Sequence, residues 1–149
     1  MFSLFRRKSF LTKTESHRIA EEIRLCEEKT SGEIRIFIEP KSKNSNPFER
    51  AAVIFGRLNM HQTEQRNGVL LYIAYVDRKF ALLGDIRIQE FLPSDFWQAR
   101  RDELQDFFKQ GNYCEGILHC IREVSAVLEA HFPAHGKNKN ELPDEIVFG

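Results

Sequence analysis

The chain is expected to be an α/β protein: a three-layer α/β/α sandwich built on a small mixed sheet of about four strands. Three observations predict this. Glu33–Glu39 alternates, with Ile34, Ile36 and Ile38 on one side. Val69–Ala74 is a nearly unbroken apolar run, as expected of a central strand covered on both faces. Helical apolar spacing recurs before, between and after these two stretches.

The first helix is announced by Thr12 and Glu15, the spacing of a capping box, and by Ile19, Ile23 and Cys26 on one stripe. Thr30-Ser31-Gly32 ends it before the alternating strand, which Pro40 stops. Asn46 followed by Pro47 reads as a cap with proline at the first helical position, and Ala51, Ile54, Phe55 and Leu58 give that helix its apolar face. Arg66 to Asp85 then reads as a hairpin, with Asn67-Gly68 at its entry, Asp77-Arg78-Lys79 at its bend and Gly84-Asp85 at its exit. Ile86–Phe91 suggests a short helical turn. A helix beginning around Phe96 and ending near Gln110-Gly111 follows, and then another over Tyr113–His131 closed by Pro133. The link from Ile38 through a helix to Val69 implies parallel strands. The expected organisation is an N-terminal tip over 1–10, one α/β domain over 11–133 and a flexible polar tail over 134–149, with PDEIVF as a docking patch within it.

Composition narrows the function classes. The 149 residues carry 22 Lys+Arg and 22 Asp+Glu, a formal net charge of zero, so neither nucleic acid nor an anionic membrane is the expected partner. No apolar stretch approaches the length of a membrane span, and MFSLFRRKSF lacks the order of a signal peptide, so a cytoplasmic location is expected. The three cysteines, Cys26, Cys114 and Cys120, form no CxxC pair and read as reduced, buried thiols. The five histidines fall without metal spacing, and the chain has no phosphate-binding glycine motif and no G-x-S-x-G.

The chemistry-bearing residues gather at strand ends. Ligands of open α/β sheets bind beyond the carboxyl ends of the strands, where Glu39 and Asp77 are expected. If the hairpin strands run antiparallel, Asp85 falls at the opposite edge, with Glu33 and Asn67. The acids therefore form two candidate sites, and their oxygens suit a hard cation such as Ca²⁺ or Mg²⁺. The same residues also fit a plainer role, with Asp77-Arg78-Lys79 as a solvated turn and Gly84-Asp85 as a helix cap.

Ser31-Gly32-Glu33-Ile34, Arg66-Asn67-Gly68-Val69-Leu70, Asp77-Arg78 and FFKQGNYCEGILHCI follow one another in an order that resembles the TPM domain family, also called the thylakoid lumen phosphatase-like or photosystem-repair domain. The resemblance spans roughly Phe10 to Pro133 and is that of a short bacterial version without secretion signal or anchors; the tail NELPDEI adds to it. It implies an α/β/α sandwich, divalent cation binding and an acid phosphatase activity. Carried over by position, it assigns metal ligation to Asp77 and Asp85, and binding to Glu33, Arg66, Asn67 and Arg78. One departure is Gly84-Asp85-Ile86-Arg87-Ile88, where longer members have a loop richer in glycine. The expected function is a divalent-cation-binding accessory domain with a protein partner. The alternative is a metal-dependent acid phosphatase using Asp77 or Asp85 as ligand or nucleophile.

Overall fold

The structure, a computed structural model, describes residues 10–134 and 146–149. Thr12 caps α1 (Lys13–Glu27) as its sequence predicts: its hydroxyl accepts the Glu15 N–H at 3.1 Å, and the Glu15 carboxylate accepts the Thr12 N–H at 2.9 Å. β1 (Glu33–Glu39) leads through the loop at Pro40 to α2 (Pro47–Arg57), where Asn46 accepts the Phe48 N–H and Pro47 opens the helix. A single 3₁₀ turn at Met60–Gln62 precedes β2 (Gly68–Ala74) and β3 (Lys79–Gly84). α3 (Ile86–Phe91), α4 (Ser94–Lys109) and α5 (Tyr113–His131) follow, and β4 (Ile146–Phe148) comes last.

The sheet is mixed, in the order β3-β2-β1-β4. β1 runs parallel to β2, Glu33 opposite Gly68 and Glu39 opposite Ala74, while β2 and β3 form an antiparallel hairpin. Helices cover both faces. Ile34, Ile36, Ile38, Val69, Leu71 and Ile73 pack on one side against the buried faces of α1, α4 and α5. On the other side Phe37, Leu70, Tyr72 and Ala81 meet Ala51, Ile54 and Phe55 of α2, with Met60 beside them. The expected α/β/α sandwich is the architecture observed.

Two details differ from the alternation read in the sequence. All seven positions of β1 are buried, including Glu33, Arg35 and Glu39, the last of them closed over by Arg50 of α2. The tail expected to be flexible from 134 onward contains a strand. Ile36, Phe37 and Ile38 of β1 pair with Ile146, Val147 and Phe148 in parallel, and the Gly149 N–H donates to the Ile38 carbonyl at 2.8 Å. The far edge of β1 presents unpaired backbone groups that need partners. Ile146 and Val147 fit there because their side chains join opposite apolar layers. The last three residues of the patch read as a docking segment, Ile146–Phe148, thus dock on the chain's own sheet. The rest of the tail and the N-terminal tip, residues 135–145 and 1–9, lie outside the described residues.

The glycines at the two ends of the hairpin are packing residues. A Cβ on Gly84 would stand 2.8 Å from the Trp97 ring, and one on Gly68 would stand 3.3 Å from the Met60 carbonyl oxygen. Helix α4 and the 3₁₀ turn approach the sheet there closely.

Leu71, 2% exposed in the middle of β2, gauges this core. Leu71→Ala should lower the unfolding free energy by about 2–5 kcal/mol in denaturant titration. A loss under about 1 kcal/mol would contradict a site that cannot collapse around the missing atoms.

Candidate functional site

The antiparallel hairpin separates the two acids to which metal ligation is assigned. Asp77 stands in the turn after β2, Asp85 beyond the far end of β3, so they occupy opposite edges of the sheet.

At the edge where β1 and β2 begin stand Arg66, Asn67, Asp85 and Glu33; Arg66 and Asp85 are paired, while the buried Asn67 Oδ1 has no hydrogen-bond partner among the described residues. The guanidinium of Arg66 donates to both oxygens of Asp85 at 2.8 Å, and this pairing raises the Arg66 pKa. Asp85 also accepts the Ile86 N–H at 2.8 Å, capping α3, and its own N–H donates to the Gly68 carbonyl. Arg66 adopts a left-handed backbone (φ 51°), from which its carbonyl accepts the Arg87 N–H. Asn67 is fully buried. Its side-chain amide donates to Ser31 Oγ at 3.2 Å, and its carbonyl accepts the Glu33 N–H. With one oxygen held by Arg66 and the other by Arg66 and a backbone N–H, Asp85 is suited to fastening α3 to the hairpin and poorly suited to a metal ion.

At the opposite edge, Glu39 and Asp77 behave differently. Glu39 is buried in a cluster with Arg50 and Tyr72: Arg50 Nε and Nη2 donate to its two oxygens at 2.9 and 3.0 Å, and the Tyr72 hydroxyl donates to Oε2. Burial pulls the Glu39 carboxyl upward, but the hydrogen bonds from Arg50 and Tyr72 outweigh it and hold the group below the ordinary carboxylate value. Burial, with the Glu39 carboxylate beside it, pushes the Tyr72 phenol up to about 12. Glu39 is therefore spoken for. Asp77 is not: Oδ2 accepts the Ser42 N–H at 2.7 Å, and among the described residues no cationic side chain forms an ion pair with it. This one bond ties the hairpin turn to the loop after β1, whose residues Ser42 and Asn44 hydrogen-bond each other. Arg78 holds the turn in a left-handed conformation (φ 57°). Lys79 Nζ donates to the Ser45 carbonyl at 2.9 Å.

Arg50 and Ser42 are the site-forming residues the sequence reading passed over. Arg50 sits on the apolar stripe it shares with Ala51 and Ile54, and that placement was the signal that its charge is buried. No pattern in the sequence marks Ser42, because its role is carried by its backbone N–H. The cysteines are buried thiols as expected. Burial pushes the Cys120 thiol up to about 12, which leaves it unreactive. His119 pairs with Glu103 between α4 and α5, and His131 stacks on Phe91. No group of three or more His, Cys, Asp or Glu side chains is placed to hold a metal, and no helix is long and apolar enough to cross a membrane, among the described residues.

A parallel β1/β2 pair, an antiparallel hairpin and helices on both faces define a small α/β sandwich domain with a mixed sheet. Residues 5–127 match the TPM domain family, and the chain belongs to it. It is similar to the BA42 protein of the psychrophilic bacterium Bizionia argentinensis, whose NMR structure is 37% identical in sequence. The match covers 97% of this chain and 99% of that one, with a TM-score of 0.88. A solution structure of the N-terminal domain of a protein from P. gingivalis shares the fold at 16% identity and a TM-score of 0.69, over 87% of this chain and 84% of that one. Comparison with curated proteins gives no match.

Two outcomes check the geometry. Glu39→Gln leaves Arg50 without a full counter-charge in a buried site and should cost about 3–5 kcal/mol at neutral pH. Because the Glu39 pKa is lowered in the folded state, its stabilisation is present above the ordinary carboxylate range and is lost as pH falls through it. The wild-type unfolding curve should therefore weaken on acidification more steeply than that of Glu39→Gln; parallel curves would contradict the assignment. At the other edge the Arg66 side chain is 41% exposed, which screens the pair, so Asp85→Ala should cost only about 1–2 kcal/mol, mostly from the lost cap. Hydrogen exchange in α3 would report that loss.

Proposed function

We propose that the chain is a binding module that takes a divalent cation, calcium or magnesium, at the edge of Asp77 and presents that edge to a protein partner. The observation that supports this reading is the state of Asp77. It is a carboxylate beyond the carboxyl ends of the parallel strands, tied to a second loop by one backbone N–H and paired with no cation among the described residues. Asp85, the other acid of the hairpin, and Glu39, the acid at the carboxyl end of β1, are neutralised by Arg66 and Arg50. One carboxylate fits a weak site, in which Asp77 supplies the charge and loop carbonyls and water complete the oxygen shell. It does not fit a cage. A binding role also accords with the histidines: His119 is engaged with Glu103 and His131 with Phe91, so neither is a base beside Asp77.

Titration with calcium or magnesium, followed by backbone amide NMR, tests the reading. The amides of the 40–46 loop and the 75–78 turn should shift with a dissociation constant of roughly 10⁻⁴–10⁻³ M. Asp77→Asn should abolish the shifts, whereas Asp85→Asn should leave them in place. Amides that stay unmoved at several millimolar, or shifts that vanish only with Asp85, would sink it. Turnover of a phosphomonoester lost in the Asp77 variant together with the ion would make the same site hydrolytic.

A further inference from the structure

Between the β2–β3 hairpin and the junction of α4 with α5 lies a cleft of about 600 Å³, within the size range of small-molecule sites. Its walls are rings. Phe10 stacks on Tyr75 at 5.4 Å and leans on Tyr113 at 4.6 Å, while Phe108 meets Phe80 and Tyr113 edge-on at 5.4 and 5.3 Å. Because the rings brace one another, the cleft is formed before any ligand arrives. Ile73 and Ala74, at the carboxyl end of β2, also line it, so it lies where open α/β sheets receive ligands.

The charge at this cleft has one sign. Arg78, Lys79 and Lys109 line it, with the amides of Gln105 and Gln110, and among the described residues no carboxylate does. Lys79 is turned to the Ser45 carbonyl, and neither Arg78 nor Lys109 forms an ion pair among the described residues. The neighbouring acids in the chain, Asp77 and Asp106, do not line the cleft, and Asp77 is bonded to the loop after β1. Two helix ends of opposite polarity meet beside it, the last turn of α4 and the first of α5. Two carbonyls of the last turn of α4, those of Phe107 and Phe108, are already taken by the N–H groups of Gln110, Gly111 and Asn112. The side-chain cations therefore set the local potential. An aromatic box alone would attract a cation, but three resident cations oppose one. What satisfies both walls and rim is a flat apolar body carrying a negative group.

We propose that this cleft binds a small organic anion with a planar apolar body, of the aryl carboxylate type, and that Arg78 and Lys109 hold its charged group while the rings hold its face. The site is independent of cation binding at Asp77.

Naphthoate is a suitable probe, compared with naphthalenemethanol and naphthylmethylammonium, which share the ring system and differ in charge. In the full chain, amide NMR should show saturable naphthoate shifts at Tyr75, Lys79, Gln105 and Lys109–Tyr113. The alcohol should bind about tenfold more weakly and the ammonium more weakly still. Lys109→Glu, an exposed change at the end of α4, should weaken naphthoate about tenfold and leave the alcohol unchanged. Arg78→Asn, whose side chain tolerates the left-handed backbone, should weaken naphthoate in the same direction. Gln105→Trp, at the exposed mouth, should block all three probes. Equal affinity for the three probes, shifts that map elsewhere, or no saturation by about 5 mM would overturn the proposal.

Discussion

The constraint on which this structure depends is that β2 is buried on both faces. Its seven residues, Gly68–Ala74, are all sequestered, and a strand of that kind must have a strand on each side and a layer above and below. β1 and β3 satisfy the first demand, α2 and the α1/α4/α5 layer the second. Leu71 and Ile73 point into one layer, Leu70 and Tyr72 into the other. Removing α2 would expose half of β2, and with it the buried charge of Glu39.

That charge shows how the central strands shape the edges where chemistry is available. Tyr72 carries its hydroxyl from β2 across to Glu39 on β1, and Arg50 descends from α2 to complete the cluster. A hydrogen-bonded charge pair of this kind offsets its own desolvation and adds little net stability, yet it is costly to break. Its effect on function is to remove Glu39 from the ligand surface. Asp77, one loop away, remains the carboxylate available there. At the opposite edge Arg66 does the same to Asp85. Each edge has one arginine that turns an acid into a structural part.

Much of this was legible in the sequence. The capping box at Thr12 and Glu15, the Asn46-Pro47 start of α2, the hairpin and the extent of α5 all follow from local signals that tertiary contacts reinforce. The antiparallel hairpin was anticipated as the arrangement that would part Asp77 from Asp85. Other features were not legible, for physical reasons. The place of Arg50 on the apolar stripe marks it as buried but does not name its partner, which is fixed only when the helix that carries it is laid against Glu39. The strand at Ile146–Phe148 has three residues and no turn signal, and its partner, β1, is more than a hundred positions away; only the open edge of β1 gives it a place. The cleft of aromatic rings draws on Phe10, the hairpin and the α4–α5 junction, segments distant in sequence that nothing local ties together.

The placement of β4 also carries a kinetic consequence. β1 and β4 lie more than a hundred residues apart, so their pairing closes a very long loop for the sake of a three-residue strand. Contacts of that separation form late. The outer edge of β1, rich in isoleucine, stays open until residues 146–148 dock on it. The arrangement places this border of the sheet in the care of a segment remote from it in sequence, and makes the docking of that segment the event that closes the border to other chains.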